Sequence, residues 1–221
     1  MPTFTQDEAT QYDSRIPRLV PGYELLHNST AAQLQATLGD EAHILVIGAG
    51  TGKEVALLAA LQPKWHFTAQ DTSQDMLDIA KQRFVELGIS ERVTLHLGSP
   101  SELKQQADAA LCLLVMHFVA DNGDKKAMLQ AISTQLKSHG QLYLADLMRP
   151  ETLFERDAQL ILSKQLGLTE TGVERMQHNF EHEFFPLDRI RLADLLDETG
   201  FNSGKLYFKT LGFSGYVAQK R

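Results

Sequence analysis

From residue 43 to the C-terminus, short apolar runs alternate with stretches in which apolar residues recur every three or four positions. Strands repeat every two residues and helices every 3.6, so this alternation predicts βαβ units and a parallel sheet covered by helices on both faces. Residues 43–47 predict the first strand, 52–61 a helix stopped by Pro63, and 65–70 the second strand. Ser73 reads as an N-cap with Asp75 in the first turn. Met76, Ile79, Ala80, Phe84 and Leu87 then keep one helix face apolar as far as a C-cap at Gly88. Residues 93–97 alternate as a third strand, and the continuous apolar run 109–115 suits a fourth strand buried on both faces. A helix over 124–137 and a fifth strand over 141–145 follow.

Two charge-rich helical stretches, 151–166 and 169 to about 183, predict inserted cap helices at about 150–186. Residues 188–199 form another amphipathic pattern, ended by Gly200. Two strand-like runs, 205–208 and 212–218, then surround Leu211 and Gly212 with Gly215 inside the second, which predicts a C-terminal antiparallel hairpin. The expected division is an N-terminal helical cap over 1–40 and a main domain over 41–221. Tandem repeats and low-complexity tracts are absent from the sequence.

Composition narrows the classes. At 221 residues with 43% hydrophobic and 22% charged side chains, the chain has material for one good-sized core. Its 21 Lys and Arg against 28 Asp and Glu give −7, which weighs against a direct nucleic-acid partner, since phosphate affinity rests on clustered cations. A single cysteine, Cys112, excludes a disulfide framework or a cysteine-rich zinc site within one chain, and its apolar surroundings predict a buried small hydrophobe. The N-terminus lacks a basic and an apolar targeting region, and no run reaches about 18 apolar residues, so no membrane partner and a cytoplasmic location are expected.

The densest chemical signal is Ile47-Gly48-Ala49-Gly50-Thr51-Gly52-Lys53, a strand running through three alternate glycines into a helix. Backbone without Cβ atoms lets a ligand approach closely. A dinucleotide fingerprint needs glycine where Lys53 stands, and a phosphate loop needs glycine and Ser or Thr where Ile47 and Glu54 stand. Asp71, at the end of the second strand and about 20 residues past the loop, is placed to accept hydrogen bonds from both hydroxyls of a ribose. The competing role for Asp71 is a turn residue ahead of the Ser73 cap.

The Gly-x-Gly-x-Gly loop with Asp71 resembles the first motifs of class I S-adenosylmethionine-dependent methyltransferases. That resemblance implies a Rossmann-like α/β sheet, mostly parallel with a C-terminal antiparallel hairpin, and S-adenosyl-L-methionine as cofactor. It implies cofactor contacts from Gly48, Ala49, Gly50 and Gly52, from Asp71 at the ribose, and from Thr72 and Met76 beside the adenine. Val46 stands where the family usually has an acidic residue, and Ser99 where an Asp usually contacts the adenine amino group. Tyr12-Asp13-Ser14-Arg15, Pro21-Gly22-Tyr23 and Leu206-Tyr207-Phe208-Lys209 look like the branch that contains the carboxy-S-adenosylmethionine synthases of tRNA wobble-uridine modification. There the tyrosine of Pro-Gly-Tyr closes over the cofactor, which implies that role for Tyr23. That branch's fourth-strand Asn falls on Leu113. Its carboxylate-binding Arg falls on Gln177 in an ungapped reading, two residues from Arg175.

His117, just past the fourth strand at the carboxyl edge of the sheet, is the expected general base, with a polar strand-end residue as the alternative. Phe118 is expected to pack or to stack on substrate. Arg15, Asp146, Arg149 and Arg175 are the other expected acceptor-binding residues. His178, Glu181 and His182 fit a His-x-x-Glu-His zinc peptidase pattern, set against a solvated helix face; no metal is expected. The reading is methyl transfer to a small-molecule acceptor, with homodimer formation left open. The alternatives are a relative of the synthases and a non-catalytic nucleoside- or protein-binding domain.

Overall fold

The computed structural model describes residues 6–221; residues 1–5 of the expected N-terminal cap lie outside the described residues. In chain order the elements are α1 (Gln6–Leu19), α2 (Tyr23–Thr37), β1 (His43–Ile47), α3 (Lys53–Leu61), β2 (His66–Asp71), α4 (Gln74–Glu86), β3 (Val93–Leu97) and β4 (Ala107–Leu113). There follow α5 (Asp124–Gln135), β5 (Leu136–Leu147), α6 (Glu155–Gln165), α7 (Glu170–His182), α8 (Arg189–Glu198), β6 (Lys205–Thr210) and β7 (Phe213–Gln219). The strands form one sheet in the order β3-β2-β1-β4-β5-β7-β6. The first five run parallel, and β7 is antiparallel to both β5 and β6.

Two apolar layers explain why the central strands read as unbroken runs. Ile44 and Val46 of β1 face a core shared with α1, α2, α3 and α4, while Leu45 and Ile47 face α5 and α8. Because side chains alternate across a sheet, a strand buried on both faces must be apolar at every position. Cys112 sits fully buried in the second layer, as a small hydrophobe. The C-terminal carbonyls of α3 are closed by Arg92, whose guanidinium donates to Ala59 O, Gln62 O and Trp65 O at 3.0–3.1 Å. A cation there satisfies orphan acceptors and complements the helix dipole.

The boundaries of β4 and β5 differ most from the sequence expectation. β4 stops at Leu113, two residues early, because Leu114 takes φ +61 and turns the chain out of the sheet. β5 is longer than residues 141–145 at both ends: β7 pairs with it from Gln141 to Leu147, and it begins at Leu136, inside the expected helix 124–137, where it pairs with Ala107 of β4. The β6–β7 turn uses Leu211 at φ +48.

Chain order places the site. After β3 the chain crosses to the other side of β1 and adds β4, so the carboxyl ends of β1 and β4 diverge and leave a crevice, the usual ligand position in open α/β sheets. α1 crosses this edge and is fastened by Asp13, which accepts hydrogen bonds from Thr51 Oγ1 at 2.6 Å and from Arg83 of α4. Arg83 also donates to the Thr51 carbonyl at 2.8 Å. α6 and α7 follow β5 over the same edge, α6 packing on α1 and α7.

Gly52 shows how tightly the loop is seated. Its φ is +78, and a Cβ there would meet Phe84 Cζ at 2.5 Å and Ala80 Cβ at 3.1 Å, whereas at Gly88 (φ +66) a Cβ meets nothing within 4 Å. Gly52→Ala should therefore cost about 2–4 kcal/mol, combining strain and overpacking, and Gly88→Ala about 1–2 kcal/mol from strain alone. Paired denaturant melts check this; equal losses would contradict it.

Candidate active site

The glycine loop leaves β1 and is drawn across the end of β2. Gly50 N donates to Asp71 Oδ2 at 2.8 Å, Ser73 N to Asp71 Oδ1 at 2.9 Å, and Ala49 N to Gln70 O at 2.8 Å. Burial pushes the Asp71 carboxyl above the ordinary carboxylate range, and the amides of Ser73, Gly50 and Thr72 offset this only in part. The three glycines do different work. A Cβ on Gly48 would strike Val115 Cγ2 at 2.4 Å, and Gly52 is sealed by Phe84, but Gly50 would meet only Gly48 O at 3.9 Å. Its free side opens on the crevice.

Gly48, Ala49, Gly50 and Asp71 form one wall of a narrow slot, Thr72, Met76 and Leu113 line it further, and Tyr12 and Tyr23 close it from the N-terminal helices. Its free volume is about 60 Å³, below the roughly 300–1,000 Å³ of ordinary small-molecule sites. Tyr23 is buried at 3% exposure, with the Lys53 ammonium 4.6 Å from its ring centre. Below it His27 bonds the Tyr23 carbonyl through Nδ1 and Glu54 through Nε2, both at 2.8 Å. Burial disfavours the His27 cation, but the hydrogen bond and charge of Glu54, with the Tyr23 carbonyl, outweigh it and raise its pKa above the usual imidazole value.

A wider chamber of about 660 Å³ adjoins the slot and shares Tyr12, Leu114 and Phe118 with it. Leu114, held at the positive φ noted above, therefore sits at the junction, a place where strained backbone tends to be kept. His117 lines the chamber from the Met116–Phe118 turn, and its Nδ1 is hydrogen-bonded to Asp146 Oδ1, leaving Nε2 as the nitrogen for the chamber. Phe118 and Phe184 pack against the imidazole, with ring centres 4.0 and 4.7 Å away. Arg15, Arg18 and Arg175 line the same chamber, and among the described residues no Asp, Glu or Lys lines it. The Arg15 Nε is buried with no hydrogen-bond partner.

Several expected site residues are placed elsewhere. Asp146 does not face the chamber; its carboxylate is taken up by His117 and by the Leu147 amide at 2.8 Å. Arg149 lies in a separate surface groove, ion-paired with Asp188 at 3.5 Å and bonded to Pro186 O, because the chain turns outward after β5. Ser99 does not line the slot; its hydroxyl caps the Pro100–Glu102 turn through Ser101 N. Gln177 is exposed, and Arg175, two residues earlier, is the α7 cation at the chamber. His178 and His182 stack with ring centres 4.7 Å apart beside Glu181, and among the described residues no group of three or more His, Cys, Asp or Glu is placed to hold a metal. Tyr12, Arg18, Glu54 and Phe184 are lining or supporting residues that motif spacing does not reveal; each reaches the site through tertiary packing.

Residues 45–142 match the family model described as a methyltransferase domain. The fold is that of the class I methyltransferases: magnesium protoporphyrin IX methyltransferase from Synechocystis PCC 6803, solved with bound SAH, superposes with a TM-score of 0.67 at 18% identity, covering 90% of this chain and 84% of that one. The chain thus carries a match to a methyltransferase domain over residues 45–142 on the fold of the class I S-adenosylmethionine-dependent methyltransferases. Within that class it is similar to the carboxy-S-adenosyl-L-methionine synthases: 25% identity to that of Methylococcus capsulatus, over 98% of this chain and 93% of the relative, and 21% to that of Trichodesmium erythraeum, over 98% and 88%. Among the described residues no helix is long and apolar enough to cross a membrane.

The raised pKa of His27 fixes the sign of a pH effect. A folded value above the unfolded value, about 6.5, gives stability that is fully present below pH 6.5 and is lost as pH rises through the folded value. The stability gap between wild type and His27→Gln should shrink from pH 6 to pH 9 in denaturant melts; a gap that widens would contradict the assignment.

Proposed function

We propose that the protein transfers a methyl group from S-adenosyl-L-methionine to a protonated oxygen or nitrogen of a small organic anion. The observation that carries this is the buried His117–Asp146 pair, which opens on an arginine-lined chamber adjoining the glycine-loop slot. The slot's donor set suits the cofactor: Asp71 for a ribose diol, Thr72 and Met76 beside it, and bare backbone at Gly50 for the amino-acid end. When bound, S-adenosyl-L-methionine supplies an electrophilic methyl group on a sulfonium.

The chain's own part is positioning and proton transfer. Tyr12 and Tyr23 close the slot against water, Phe118 and Phe184 offer apolar surface to an acceptor, and Arg15, Arg18 and Arg175 supply positive charge with no acid beside them in the lining among the described residues. His117 Nε2 takes the acceptor proton while Asp146 holds the ring and stabilises the imidazolium that forms. A charge of −7 over the whole chain with cations gathered in one chamber supports a small acidic acceptor over a nucleic acid.

A second reading, carboxy-S-adenosyl-L-methionine synthesis, is supported by the whole-length similarity to proteins of that name and by Arg175 in the chamber. Leu113, lining the slot where that branch has an Asn, favours methyl transfer. Mass spectrometry of the copurifying ligand separates the two, since a carboxylated sulfonium supports the synthase.

Labelled methyl transfer from S-adenosyl-L-methionine should be detected with phenolic carboxylates such as 4-hydroxybenzoate and be weaker with the matching neutral phenols. His117→Ala should lower kcat about 10²–10⁴-fold, and Arg175→Gln should raise KM for the carboxylates roughly 10-fold or more, the scale of a charge-assisted hydrogen bond. Wild-type turnover in His117→Ala removes the base, and equal use of neutral and acidic phenols removes the anionic acceptor.

A further inference from the structure

Lys125 is completely buried in the first turn of α5. That place opposes a cation twice, because the helix N-terminus carries positive partial charge and burial strips the ammonium of water. An apolar residue of similar length would fill the space without either cost. What Lys125 touches accounts for it. Its Nζ donates to the Met116 carbonyl, one residue before His117, so the Met116–Phe118 turn is tethered to α5 from behind. From the other side, β5 brings Asp146, which bonds the His117 Nδ1 and the Leu147 amide. Burial lowers the Lys125 pKa, and the charges of Asp146 and Asp121 work against that shift without cancelling it. No carboxylate lies within ion-pair distance of Lys125 among the described residues, so its charge reaches Asp146 through the protein interior.

We propose that Lys125 is a positioning residue for His117: it fixes the Met116–Phe118 turn through the Met116 carbonyl and, as a buried cation, keeps Asp146 the carboxylate that accepts the Nδ1 proton, so that Nε2 stands bare toward the chamber. This deepens the reading of His117 as the base and rests on it. The titratable and charged groups around the pair are Cys112 from β4, Asp121 and Lys125 before and on α5, and, across the chamber, Arg15 and Arg18 from α1 with Arg175 from α7. The arginines are common to wild type and variants, so a change on altering Lys125 reports Lys125 itself.

The test is nitrogen-15 NMR of the histidine rings in the folded protein with S-adenosylhomocysteine present, across pH 5–9. Wild-type His117, when neutral, should carry its proton on Nδ1. Lys125→Met removes both tether and charge, and the Nδ1–H tautomer should lose its dominance. Lys125→Gln, which keeps a donor on a shorter neutral stem, should retain more of the tautomer. A merely structural lysine would lower melting temperature and leave both ring signals where they were, and that result overturns the proposal. An Nε2–H tautomer in the wild-type protein overturns it as well, even where a variant fails to fold. Full methyl transfer by His117→Ala would end the base reading alone, since the ring signals still answer whether Lys125 positions the imidazole.

Discussion

The site depends on one half-buried carboxylate. Asp71 stands at the end of β2, and by accepting from Gly50 N and Ser73 N it joins the glycine loop after β1 to the first turn of α4. Both oxygens hold backbone amides, so loop and helix start are fixed relative to the sheet at the point where the strand order reverses. The rest follows from that fixture. Gly50 turns its open side to the crevice, Thr51 meets Asp13, and Asp13 with Arg83 lays α1 across the top. Tyr12, carried on α1, then becomes a wall of both the slot and the chamber.

Charge is sorted in the same way. Among the described residues this chain of net −7 keeps acids out of the chamber lining and gathers Arg15, Arg18 and Arg175 there, on two helices far apart in sequence. Elsewhere cations are matched, as Arg83 by Asp13, Arg191 by Asp121 and Arg221 by Asp197. Guanidinium groups gathered in one concave lining can together donate to a single anion, which is the physical ground for an acidic acceptor. Behind the chamber the opposite device operates: Lys125 and Asp146 are both buried, and His117 is held between the turn one tethers and the carboxylate the other supplies.

Much of this was legible in the sequence because it is local. β1 and β3 fall where the apolar pattern puts them, Ser73 caps α4, and the strand-loop-helix run with Asp71 twenty-odd residues on marks the slot. Features set by tertiary contact were not. The early end of β4 comes from the backbone of Leu114, which no leucine announces. Asp146 reads as a residue facing the ligand, and only the fold shows that it faces His117 instead. Arg149 and Ser99 carry suitable chemistry at the expected edge of the sheet, yet the chain after β5 turns outward and the Pro100–Glu102 turn uses the Ser99 hydroxyl as its cap. The opposite case is Arg18, which lines the chamber although no motif in the sequence marks it.

The central claim is that Asp71 and the glycine loop form a binding site for an adenosyl sulfonium or its thioether product. Titration calorimetry of S-adenosylhomocysteine against wild type and Asp71→Asn tests it most directly, with melting curves to show that both are folded. The account predicts saturable binding by wild type and a loss of roughly 10- to 100-fold in Asp71→Asn, the scale of hydrogen bonds to a charged group. Equal affinity in the two proteins, or no saturable binding by wild type at millimolar ligand, would contradict it.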